Sequence, residues 1–155
     1  MSPPTIDESH RPESARLYVR NDAPFVARDR VREVETRLQA AGVDVTVEHW
    51  GRRIPWDEDH VSHDRYERFQ AWAAAEGVEL EPAFHRTGHT CQFTGESTEV
   101  LIPPVVTLVA YDVSDVDATD GRRPLVVYPH HDGAGSVSVE AGLEAIERAR
   151  AIQPL

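Results

Sequence analysis

Apolar residues recur along this chain with two periods. At 15–20, Leu17 and Val19 alternate with Tyr18 and Arg20; further on, Val43, Val45 and Val47 alternate with Asp44, Thr46 and Glu48. A period of two is that of a strand. Between these segments Ala27, Val31, Val34, Leu38 and Ala41 recur at spacings of four and three, one stripe along a helix of about four turns. Asn21, Asp22 and Pro24 ahead of that stripe read as a helix start, with Asp22 as the cap. Gly42 after it reads as the left-handed stop.

Farther along, Tyr66, Phe69, Trp72 and Ala73 mark a second helix, capped by Ser62 or Asp64 and closed by Gly77. Val78, Leu80 and Phe84 suggest a short extended piece, and 85–97 reads as an irregular loop. Residues 98–112, TEVLIPPVVTLVAYD, read as one long strand broken near its start by Pro103-Pro104, since proline cannot donate to a ladder. PLVVY at 124–128 is the next strand, and Val139, Leu143, Ile146 and Ala149 lie on one face of a last helix capped by Ser136 or Ser138. The expected core holds Val31, Val34, Leu38, Val45, Val47, Leu108, Val126, Leu143 and Ile146. Residues 1–14 form a polar, proline-bearing tail expected to be disordered, which leaves one domain over 15–153.

The order is strand, helix, strand, helix, a long excursion, strand, strand, helix. With Ile102-Pro103-Pro104-Val105 at the head of the third core strand, it resembles the thioredoxin-like superfamily over roughly 15–150. The resemblance implies an α/β fold, a three-layer sandwich with a mixed four-stranded sheet and helices on both faces. It also implies a cis peptide bond before Pro103 or Pro104. A ferredoxin-like βαββαβ sandwich fits less well, because the chain ends in a hairpin and a helix. The family's Cys-x-x-Cys is missing: the first turn reads Asn21-Asp22-Ala23-Pro24. Without a thiolate at that helix start, disulfide exchange by the usual route is excluded.

Charge changes the expected partners. The formal net charge is −11, and all sixteen basic residues are arginine. Such a surface argues against the phosphate neutralisation that dominates nucleic-acid affinity, and against anionic membranes. The acidity, the absence of lysine and the many small apolar residues resemble proteins of salt-in halophilic archaea, where acidity serves solubility and says little about partners. One cysteine excludes an intramolecular disulfide framework. No apolar run approaches spanning length and no signal-peptide pattern opens the chain, so a cytoplasmic protein is expected.

In the implied arrangement, the turns after the first two strands, the loop before the third and the stretch after the fourth converge at one end of the sheet, where open α/β sheets bind ligands. His49, His85, His89, Cys91, His130 and His131 fall there. His85, His89, Cys91, His130 and His131 form a candidate metal set, with zinc the metal that imidazole and thiolate suit. The competing account is loop histidines bonded to backbone or water. Asn21, Asp22, Arg52 and Pro103 are the candidate ligand-binding residues, Arg52 as a bidentate anion holder. Trp56 could mark a partner surface.

Three functions follow from these readings. The first is a non-redox thioredoxin-like binding or interaction module without a cofactor, taking a protein or small-ligand partner, with a homodimer as a candidate assembly. The second is a metal-dependent or cysteine-dependent enzyme built on His89, Cys91 and His130 or His131. The third is a DNA-binding regulator. The acidity argues against nucleic acid as the partner, weakly if it reflects adaptation to salt, and no helix-turn-helix pair with a basic recognition helix is visible.

Overall fold

The computed structural model describes residues 11–55, 61–90, 92–113 and 122–151. Strand β1 (Ser14–Arg20) leads to helix α1 (Phe25–Ala40), β2 (Asp44–Trp50), the short β3 (Ile54–Pro55) and helix α2 (Val61–Glu76). Strands β4 (His85–Thr90), β5 (Ser97–Ile102), β6 (Val106–Tyr111), β7 (Val126–Tyr128), β8 (His130–Asp132) and β9 (Gly135–Val137) precede helix α3 (Val139–Ala151). The result is a mixed α/β fold with a four-stranded sheet in the order β2-β1-β6-β7. β1 and β2 are parallel, and β6 runs antiparallel to both β1 and β7.

β1 is buried along nearly its whole length, on both faces. Its alternation is therefore not apolar-in, polar-out. Leu17 lies opposite Leu108, which lies opposite Tyr128, and the Tyr128 ring packs onto Gly142 of α3. Helix α1 meets α3 through the Arg37–Glu147 pair, with Nε donating at 3.1 Å. On the other parity, Tyr18 stacks on Trp50, ring centroids 4.9 Å apart, and meets Phe69 of α2 edge-on at 6.1 Å. So α1 and α3 cover one face and α2 the other. Seven of the nine expected core residues are buried; Val45 and Val47, on the edge strand β2, are only partly so.

Several stretches depart from the sequence reading: Ser14, placed in the tail, is buried and opens β1, and β3 forms at Ile54–Pro55 ahead of α2. The proline pair does not interrupt one long strand. It separates β5 from β6, which belong to different sheets, because β5 pairs with β3 and β4. The segment expected to be irregular contributes β4, whose register runs from His85–Ile102 to Thr90–Ser97. The bonds before Pro103 and Pro104 are trans; the cis bonds are Glu81–Pro82 and Tyr128–Pro129. Pro103 instead offers its carbonyl to Arg20 Nη1 at 3.2 Å, and the Val105 carbonyl accepts from the Arg20 amide at 3.0 Å.

Candidate functional site

Arg20, Arg52 and Arg53 lie at or just beyond the carboxyl end of β1 and β2. Asp22 does not cap α1. Pro24 holds the N-cap position, with no side-chain cap bond, while Asp22 stands two residues upstream. The Arg20 guanidinium takes its carboxylate in a fork, Nε to Oδ1 at 2.9 Å and Nη2 to Oδ2 at 3.0 Å. These bonds from Arg20 hold the Asp22 carboxyl below its ordinary range. Arg52 Nε stands 3.9 Å from the same carboxylate. Arg20 thus ties Asp22 to Pro103, with Arg52 alongside. Asn21 lines an adjoining cleft of about 620 Å³ together with His49, Trp50 and Arg53.

The back wall of that cleft was not legible as a site. Glu48 and Trp50 share the parity of β2 that faces α2, and Arg65 of α2 reaches down to them. Arg65 Nη2 and Arg16 Nη1 each stand 3.6 Å from Glu48 Oε2. The Arg65 guanidinium also lies over the Tyr18 ring at 4.5 Å and the Trp50 ring at 5.7 Å. Trp50 was the available signal. A tryptophan two residues beyond Glu48 puts both side chains on one face of the strand, so a buried Trp50 implies an enclosed Glu48 in need of cations.

The helix that begins beside this end presents an apolar, cationic start. Phe25 and Val26 are 72% and 70% exposed, no acidic residue lies in the first turn, and Arg28 and Arg32 are exposed. Arg30, by contrast, pairs with Glu140 of α3.

The histidines do not share one setting. His49 and His85 are exposed, and His89 lies on β4 opposite Thr98. His130 is buried: its Nδ1 contacts the Val127 carbonyl at 2.7 Å, and its ring stacks on Tyr128 and meets Trp72 edge-on, each at 5.3 Å. Burial pushes its pKa down. His131 exchanges backbone bonds with Glu79 at 2.7 and 2.9 Å. Among the described residues no three His, Cys, Asp or Glu side chains form a group able to hold a metal. Cys91 and Trp56 lie outside the described residues.

A helix-turn-helix domain family model matches residues 7–151. The chain belongs to that family. No curated protein and no solved structure matches it. Membership overturns the thioredoxin-like identification and, with it, the non-redox binding module as the leading function. An element order describes a layout that unrelated families share, and the trans Pro103 and Pro104 bonds remove its one local support. The expectation against nucleic acid is overturned by the same match to a helix-turn-helix family. Among the described residues strands separate each helix from the next, and no helix is long and apolar enough to cross a membrane.

Proposed function

We propose that the protein is a DNA-binding regulator that presents the start of α1 to the double helix. The family match over 7–151 carries the reading. The surface at α1 supports it. Recognition helices commonly contact base edges through their N-terminal residues. Arginine pairs with guanine and apolar groups contact the thymine methyl, and the start of α1 offers Arg28 and Arg32 beside exposed Phe25 and Val26. Arg52 and Arg53, both exposed, are placed to meet phosphates alongside.

Selection of duplex DNA from a random pool tests this, followed by anisotropy titration of the enriched sequence. Saturable binding that unrelated DNA competes for poorly is the expected result. Phe25→Ala and Arg28→Ala alter exposed side chains, so the fold should survive them. Each should weaken specific binding about tenfold, the scale of one lost base contact. If no sequence is enriched at any salt concentration that keeps the protein folded, the reading is wrong.

For the layout we infer a thioredoxin-like three-layer sandwich, as an architecture and not as a family. The order β2-β1-β6-β7 and the placement of α2 opposite α1 and α3 support it.

A further inference from the structure

The cleft beside β2 shares Arg53 with the DNA contact proposed above and otherwise lies apart from it, and among the described residues its charge is unbalanced. Among the described residues its wall carries one carboxylate, Glu48, and two guanidinium groups, Arg53 and Arg65. Behind Glu48 stands a third cation, the buried Arg16, at 3.6 Å. A single carboxylate is therefore shared by Arg16 and Arg65. The Arg65 contact, also 3.6 Å, is beyond hydrogen-bond length. Arg65 is only 15% exposed at its side chain, and its other neighbours are the faces of Tyr18 and Trp50. A guanidinium is a fork of donors built for two oxygens of one anion. Here the guanidinium lies against two aromatic rings, and the carboxylate it meets among the described residues is also within ion-pair distance of Arg16.

The rest of the wall sets the shape of a ligand. Val47, Trp50, Ile54 and Pro55 supply apolar surface, and Asn21 adds a polar group at the rim. A volume of about 620 Å³ is that of a pocket for a small molecule. We propose that the cleft binds a small organic carboxylate, its charged end on Arg65 and Arg53 and its apolar body against Trp50 and Ile54. The consequence for regulation, but not the binding itself, rests on the DNA-binding reading. Arg53 belongs to both the cleft and the cationic end beside α1, so a bound carboxylate would neutralise charge next to the DNA contact.

The test needs no DNA. The full chain is titrated with benzoate, phenylacetate and hexanoate, with benzamide as the neutral control and inorganic phosphate as the anion without an apolar body. Thermal shift and isothermal titration calorimetry report binding, and tryptophan fluorescence reports the change at Trp50. At least one carboxylate should bind saturably at one site, with benzamide inert and phosphate weaker. Arg65→Gln and Arg53→Ala should each weaken that carboxylate about tenfold or more, the scale of a lost charge-assisted hydrogen bond. Arg53 is exposed, so its variant stays informative even if Arg65→Gln folds poorly. The proposal fails if no carboxylate binds, if phosphate binds as well as the best of them, or if Arg53→Ala leaves the affinity unchanged. None of these outcomes bears on whether the protein binds DNA.

Discussion

Two buried residues near the end of β7 make the packing testable. A Cβ added at Gly142 would fall 2.3 Å from Tyr128 Cδ2. Exchanging glycine for alanine inside a helix ordinarily stabilises by about 1 kcal/mol. Here the Tyr128 ring, 1% exposed, has little room to retreat, and overpacking costs about 1–3 kcal/mol. Gly142→Ala should therefore lower the urea midpoint rather than raise it. His130 gives a pH signature. Its Nδ1 lies on the Val127 carbonyl, so the neutral ring carries its proton there. Its Nε2 is buried with no hydrogen-bond partner among the described residues. Trp72 and Tyr128 pack on the ring, Asp132 favours the charged form and His131 opposes it. Burial dominates and depresses the folded pKa. The unfolded chain then takes up the proton first, as pH falls below its ordinary value of about 6.5. The stabilisation from neutral His130 is complete above that pH and is lost as the pH drops toward the depressed value. Urea midpoints measured from pH 8 to 5 should decline below about 6.5, and less steeply in His130→Phe. An equal decline in both proteins would take His130 out of the account.

At the level of elements, α1 and α3 are locked together at their C-terminal ends. Arg150 donates from Nε to the Ala41 carbonyl at 3.0 Å and from Nη2 to the Gly42 carbonyl at 3.1 Å. Its Nη1 also stands 3.2 Å from Glu13, just ahead of β1. One side chain thus satisfies carbonyls at the end of α1 and ties down the first strand. Arg150→Ala should cost about 1.5–3 kcal/mol, the range for hydrogen bonds from a charged group, measured by chemical denaturation. A change within about 0.5 kcal/mol would class it with ordinary surface substitutions. The helices were legible because a stripe such as Val31, Val34 and Leu38 repeats with the helical period, and Gly42 and Gly77 do adopt positive φ. Ser138 also caps as expected, its Oγ accepting from the Ala141 amide at 3.2 Å. β4 was not legible. HRTGHT carries no apolar alternation, and it is a strand because β5 supplies the partner. Asp22 was misread for a related reason: a capping residue type was in place, but the Arg20 guanidinium on the same turn binds its carboxylate. Of the candidate site, the convergence of Asn21, Asp22, Arg52 and Pro103 could be foreseen from strand direction. Arg65 could not, because its role depends on α2 crossing the face that carries Glu48.

For the whole molecule, a net charge of −11 and the proposed binding to a polyanion are reconciled by where the charges lie. Arg28, Arg32, Arg52 and Arg53 are exposed at or beside the start of α1, but two are partly spoken for. Arg32 stands 3.5 Å from Asp29 and Arg52 3.9 Å from Asp22. Released counterions make log K fall with log salt by about 0.9 per phosphate neutralised. Four contacts at most would set a slope near −3 to −4 on that scale. The acidic remainder of the surface repels DNA over distances that salt screens, so added salt weakens the attraction and the repulsion together. The measured slope on the selected sequence should therefore be shallower than about −3, unlike that of a basic DNA-binding domain. Anisotropy titrations across potassium chloride concentrations that keep the protein folded would give it directly. Arg53→Ala, at a residue assigned to a phosphate, should flatten it further, by up to about one. A slope steeper than about −4 would require more phosphate contacts than this end can supply and would place the DNA on another face of the protein.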